Sequence, residues 1–485
     1  MHVPRNRSLR SPGLSNTSGR RAALQYGALG LMCGSLGLAC DREAAAPTAP
    51  GALTGLAGER DAGAATAAGG APAAPDAAAR AGASGSPGGG GPSPAPAPPA
   101  VTPDAAVVEE ALLGTPERPQ LSGGSAAAKT VLAYLAAAGS VDGLAVDNWD
   151  PTAGVGDVAG FTPSFQVAAG GTYPTVQAAI SAAVAVGSPE RQYIAVAPGT
   201  YRELVCVPAG APPITLYGTD PDAAETIIVF DNYSGKPKEA GTPANPCNPN
   251  LNGETIGTSG SATFAVYSAE FRGKNLSFVN DTDEAAAGSE SVQAVALSVQ
   301  GDRTVFENVR VLGNQDTLLL NTSNIASVAR AYFKACYVEG DTDFIFGRGT
   351  AVLDGCTIHS VTSRTANGVV IAPSTDSRNP LGILVNGATF SADAGAAAGS
   401  THLGRAWDAS QGDVATYAAN VASGIYPNGQ ATVRGSVLGP HIQGAAPWRP
   451  AATTARPYSS VGGTYPANRL YEFENTGPGS AAPPQ

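Results

Sequence analysis

From about residue 164 the chain alternates short runs of Val, Ile, Phe and Thr with Gly, Asn and Asp. Several runs share one pattern: a small residue or Asn, then apolar residues at every second position. Lys274-Asn275-Leu276-Ser277-Phe278 is followed by Glu307-Asn308-Val309-Arg310-Val311. Then come Ala335-Cys336-Tyr337-Val338, Gly355-Cys356-Thr357-Ile358 and Gly387-Ala388-Thr389-Phe390. A period of two marks a strand with one face buried. Equivalent positions lie 33, 27, 20 and 32 residues apart. One strand per repeat of this length predicts an all-β solenoid, a single-stranded parallel β-helix whose coils stack on one another. A helical solenoid needs longer runs of 3.6-residue periodicity, and these are missing. On pattern alone a β-sandwich with regular turns also fits, because the steps are uneven.

The front of the chain reads differently. Residues 1–21 carry several arginines, ending in Arg20 and Arg21, and residues 22–40 are uncharged and rich in Ala, Leu and Gly. A positive flank, an apolar core and small residues before a cut are the layout of an export signal over residues 1–40. The paired arginines resemble a twin-arginine signal, with the general export route as the alternative. Leu38-Ala39-Cys40 resembles a lipoprotein box, which would make Cys40 a lipidated N-terminus and tie the chain to a membrane. A plain signal peptide with an incidental cysteine is the other reading. Localisation is then an outer-membrane or cell-surface lipoprotein, or a secreted or periplasmic protein.

Residues 41–124 are mostly Ala, Pro, Gly and Ser. They hold too little large apolar surface to offset ordering entropy, which predicts a disordered tether. Residues 125–163 form an N-terminal extension, with a short helix predicted over 125–138 and Ser125 as its N-cap. The repeating body spans 164–485, and the family resemblance given below implies that it is the catalytic domain.

Composition narrows the function. The formal net charge is −11, which argues against a nucleic-acid partner. The six cysteines include no Cys-x-x-Cys pair, and the four histidines are scattered, so no zinc site is predicted. Cys336 and Cys356 sit at one register on successive coils. Adjacent strands lie about 4.8 Å apart, inside the Cα separation of about 4.4–6.8 Å that a disulfide accepts. Export favours a Cys336–Cys356 bridge over two free thiols. Cys206 and Cys247 are a second candidate pair, which would pin a polar insertion over about 233–260.

Three segments put polar residues where the pattern wants apolar ones: Gln293-Ala294-Val295-Ala296-Leu297, Gly313-Asn314-Gln315-Asp316-Thr317-Leu318, and Gly340-Asp341-Thr342-Asp343-Phe344-Ile345-Phe346-Gly347. Asp316 lies 23 residues after Gln293 and 27 before Asp343, about one coil each way. Two aspartates and two glutamines would therefore converge. Paired carboxylates cannot both ionise cheaply, so one is free to attack and the other keeps a proton to donate. Neighbouring amides can donate to a developing oxyanion. A ladder of Asn and Asp turns at coil corners fits the spacing equally well.

Here a family resemblance enters. Gly171-Thr172-Tyr173-Pro174-Thr175-Val176-Gln177-Ala178-Ala179-Ile180 resembles the opening motif of pectin methylesterases. Val196-Ala197-Pro198-Gly199-Thr200-Tyr201-Arg202-Glu203 resembles the strand and turn that follow. The three segments above, Leu403-Gly404-Arg405-Ala406-Trp407 and Glu474-Asn475-Thr476-Gly477-Pro478-Gly479 match in the family's order, over about residues 164–482. The resemblance implies a right-handed parallel β-helix that hydrolyses galacturonate methyl esters of pectin or oligogalacturonides to release methanol. It implies Asp343 as nucleophile, Asp316 as general acid and base, Gln293 and Gln315 as oxyanion donors, and Arg405 as the group holding the nucleophile. Trp407 is implied as a sugar platform, and Phe346 as a groove wall. No metal or organic cofactor is implied, and a monomer is the default expectation. The departures are Leu319 where many members carry an aromatic residue, Ala406 for a common proline, and Arg348 for a small or amide residue. Leu319 and Arg348 leave open an esterase or thioesterase acting on another acyl group at the same two aspartates, and the long tether with Trp407 leaves open a tethered glycan binder.

Overall fold

The computed structural model describes residues 112–481, apart from 239–242, 289–290, 363 and 366. The predicted signal segment, Cys40 and residues 41–111 of the predicted tether lie outside the described residues.

The repeat folds as a right-handed parallel β-helix. One face is an eight-stranded parallel sheet: β1 (Val205–Val207), β2 (Phe264–Val266), β3 (Leu297–Val299), β4 (Leu318–Leu320), β5 (Thr342–Gly347), β6 (Gly368–Pro373), β7 (Thr401–Trp407) and β8 (Trp448–Ala452). The remaining coil strands join a second, larger sheet that turns a corner. At that corner the recurring small or Asn residue adopts the left-handed backbone. Asn275, Asn308, Ala335, Gly355, Gly387 and Gly435 all have φ between 49° and 61°. Gly and Asn tolerate that conformation best, which is why they mark most repeats; Ala335 adopts it against its own Cβ. The Asn308 side-chain amide donates to Asn275 Oδ1 at 2.9 Å, one coil below. The residue after each corner turns inward: Leu276, Val309, Cys336, Cys356 and Ala388 form one buried column.

That column corrects the expected Cys336–Cys356 bridge. Both are free, buried thiols. The Cys356 sulfur accepts from the Cys336 backbone N–H at 3.4 Å, one coil away, and the two sulfurs stay unbonded. Each sulfur donates instead to a backbone carbonyl, Cys336 to Phe306 and Cys356 to Phe333, both at 3.5 Å. Cys206, on β1, is bridged to Cys247 and ties the polar insertion to the eight-stranded face.

The front of the described chain is a strap, and it corrects the tether boundary at 124 and the Ser125 cap. Leu112–Thr115 and Arg118–Leu121 form an antiparallel hairpin, and Gln120 pairs in parallel with Glu472 of the last coil strand. Arg118 donates to both carboxylate oxygens of Glu472, at 2.7 and 2.8 Å, with both side chains buried. The helix Gly123–Ala127 is capped by Ser122, and a second, Val131–Ala136, by Thr130. Tyr134 and Leu135 of the second helix pack on Val305, Tyr332, Val352 and Leu384 of the larger sheet. The helix Val176–Ala185 packs Val176, Ala179, Ile180 and Ala183 into the core cluster with the first coil strands.

Candidate active site

The outer side of the eight-stranded face carries a ladder of one residue per coil. Register aligns Cys206, Ala265, Ser298, Leu319, Phe346 and Ala372. Leu319 and Phe346 sit in an outward apolar cluster with Ala262, Ala265, Val295 and Ala372, flanked by Cys247, Tyr267 and Trp407. The Phe346 and Trp407 rings lie 5.6 Å apart between centroids, tilted by 55°. This gives one side of the molecule a ribbon of apolar and aromatic side chains, buried at Leu319 and Phe346 and partly exposed at Tyr267 and Trp407, so Phe346 backs the expected groove rather than forming its wall.

The two aspartates stand at the edge of that ribbon, where the strands begin. Leu318 pairs with Ile345. Carried back two residues, the register sets Asp316 beside Asp343, and the Asp316 N–H donates to Thr342 O at 3.0 Å. Both aspartates adopt the left-handed backbone, with φ of 63° and 49°. Short polar side chains tolerate that conformation better than bulky ones. At Asp343 it coincides with an irregularity in the β5–β6 register between Thr342 and Ile345. The irregularity lets Phe344 and Ile345 both enter the core, while Phe346 returns to the outer ribbon.

Arg405, on β7, donates Nε to Asp343 Oδ1 at 2.9 Å and Nη2 to Oδ2 at 2.6 Å. The paired donors fix the plane of the carboxylate. Asp316 is held by no such fork. Burial first, and then the charge of Asp343, hold its carboxyl well above the usual carboxylate range; the Arg405 cation only partly opposes them. The pair is therefore divided: one carboxylate clamped by a cation, the other biased toward its protonated form.

Gln315 immediately precedes Asp316 and is half-buried. Gln293 is half-buried on the preceding coil, its backbone carbonyl accepting from Ser234 N–H at 2.8 Å. Ala294 N–H donates to Gln315 O at 3.1 Å, which ties the two glutamine segments together. Asp316, Asp343, Gln293, Gln315, Arg405, Phe346 and Trp407 thus belong to one side of the helix, while Cys336 and Cys356 lie in its core. Sequence reasoning missed three charged groups beside Gln315: Glu284, Asp341 and Arg364. Arg364 Nε and Nη2 donate to the two Asp341 oxygens at 2.8 and 2.6 Å, and Arg364 Nε lies 2.6 Å from Glu284 Oε2. Asp341 offered a signal, standing two residues before Asp343. Glu284 and Arg364 lie outside the repeating strands, with no motif around them.

A parallel β-helix with this face defines a carboxylic ester hydrolase. The chain belongs to the pectinesterase family: the family model described as Pectinesterase matches residues 165–437. A pectinesterase of Ralstonia solanacearum is 48% identical over 375 residues, which cover 76% of this chain and 93% of that one. A protein of Escherichia coli described as a putative acyl-CoA thioester hydrolase, YbhC, is 31% identical over 359 residues, covering 66% and 80%. The structure of rice weevil pectin methyl esterase superposes with a TM-score of 0.61 at 29% identity, covering 76% of this chain and 98% of that one.

Proposed function

We propose that the chain hydrolyses methyl esters of galacturonate, in pectin or its oligosaccharides, through a covalent intermediate on Asp343. The observation that carries this reading is the division of the aspartate pair. Asp343 is oriented by the Arg405 fork, and Asp316 is biased toward its acid form.

In this reading an Asp343 oxygen attacks the ester carbonyl carbon. The oxyanion of the tetrahedral intermediate is met by the amides of Gln293 and Gln315. Collapse breaks the bond to the methoxy oxygen, and Asp316 gives that oxygen its proton, so methanol leaves. Asp316, now a carboxylate, takes a proton from a water that attacks the same carbonyl of the Asp343 anhydride. Its collapse frees the galacturonate carboxyl and restores both aspartates. The partly exposed Trp407 ring, backed by the buried Phe346 ring, supplies the apolar surface against which a sugar ring can rest.

We further infer that the protein works outside the cytoplasm, anchored through Cys40 or freely secreted, and as a monomer. The Cys206–Cys247 bridge supports the compartment, because such bonds persist under oxidising conditions. The test is methanol release from highly methylated pectin, with Asp343→Ala beside the wild type. Release by the wild type alone supports the reading. Turnover of acyl thioesters faster than of pectin would replace the substrate and keep the site. Tight binding of oligogalacturonides with no release from either would leave a glycan binder.

A further inference from the structure

We infer that Arg364 is a positioning residue for the reaction: held by Asp341 and Glu284, it orients the Gln315 amide so that its N–H donors face the substrate. The inference rests on Gln315 being an oxyanion donor, as proposed above.

The geometry is specific. Arg364 Nη2 donates to Gln315 Oε1 at 3.4 Å. The Gln315 backbone N–H donates to Glu284 Oε1 at 3.1 Å. The glutamine is thus held at its main chain by one member of the cluster and at its side-chain carbonyl by another. A guanidinium carries only donors, so the atom it faces must be the amide oxygen. The amide nitrogen then points away from Arg364. Among the described residues no hydrogen bond occupies it. Without Arg364 the amide could flip and present its oxygen to an oxyanion, where it would repel rather than stabilise.

The cluster is also built to stay still. The Asp341 side chain is wholly buried and that of Glu284 is 1% exposed, while Arg364 is 28% exposed. Burial pushes the Glu284 carboxyl up to about 7, against the opposing pull of Arg364. Asp341 N–H donates to Asn314 O at 3.0 Å, and Asp316 N–H returns the link to Thr342 O. The cluster is therefore laced into the two rungs that carry Asp316 and Asp343. Such a frame fixes an amide at little further cost in freedom, which is what an oxyanion donor requires.

The test is a double-mutant cycle on a methylated oligogalacturonide, comparing wild type, R364A, Q315A and R364A/Q315A, with thermal unfolding of each. The expected result is a fall in kcat of about 10- to 100-fold for R364A, with KM nearly unchanged. R364A should add less than about 3-fold once Gln315 is gone, because the two act as one unit. Losses that multiply in the double variant, or a kcat for R364A within about 2-fold of wild type, would overturn the inference. If R364A does not fold, R364K carries the test. Its single ammonium keeps the charge beside Asp341 but cannot replace the planar fork, so kcat should still fall, and an unchanged kcat would overturn the inference. A wild type that releases no methanol would instead remove the esterase reading on which the roles of both residues stand.

Discussion

Arg405 holds both oxygens of Asp343 through two parallel N–H donors, across 62 residues of chain. The strands that carry them are separated only by β6, so the contact spans two rungs of one sheet. Arg405→Lys keeps the charge and loses the fork. We expect kcat to fall about 10-fold or more, with the fold intact by circular dichroism. Asp343→Ala should cost about 10³-fold or more, the signature of a lost nucleophile.

Asp316 makes an opposite prediction for stability. Its carboxyl is raised in the folded chain, by burial and then by Asp343. The folded state thus keeps a proton that the unfolded chain gives up, and stability falls as pH rises through the ordinary carboxylate range toward the raised value. Asp316→Asn removes that penalty. We expect this variant to unfold at a higher temperature than the wild type near neutral pH, to match it at about pH 3, and to show no turnover.

Trp407 is half-buried against Phe346 at the ribbon's edge. Trp407→Ala should raise KM for a methylated oligosaccharide about 3- to 10-fold with a smaller change in kcat. Initial-rate kinetics distinguish this from a loss of chemistry, which would lower kcat instead.

The Cys206–Cys247 bridge closes a segment of 41 residues beside the outer face. Chain-entropy reasoning gives it about 4 kcal/mol of stability. Replacing both cysteines by alanine should lower denaturant stability by up to this amount. Cys336 and Cys356 should react with a thiol reagent only after unfolding, and mass spectrometry of a chain starting at residue 101 counts them.

Arg118 and Glu472 join the front strap to the last coil in a buried, two-pronged ion pair. Arg118→Ala leaves the Glu472 charge uncompensated and should cost about 3–5 kcal/mol in urea unfolding. A chain trimmed to start at Ser125 should show the same weakness. One that keeps residue 112 onward should not.

The coil and the aspartate pair were legible in the sequence because each is written locally. A left-handed corner favours Asn or Gly, and a buried column needs an apolar residue next to it, so Asn275-Leu276 and Gly387-Ala388 announce themselves. Asp316 and Asp343 stood out as polar residues in an apolar register one coil apart. The fold class and the family followed from that periodicity and from the ordered motifs, and the structure sets the two aspartates side by side.

What only the tertiary structure decided were relationships between residues with no common period. Arg364 and Glu284 lie in connections of unequal length, and nothing nearby in the chain says that both reach Gln315. The strap residue Arg118 sits where composition resembles a tether, and its partner is 354 residues away. Cys336 and Cys356 share a register, yet register specifies which residues are neighbours and not which way their side chains point. The sequence by itself determined the coil, because a repeating backbone conformation selects residues one position at a time. Bridges, straps and positioning contacts depend on side-chain direction and loop path, which the packed chain alone decides.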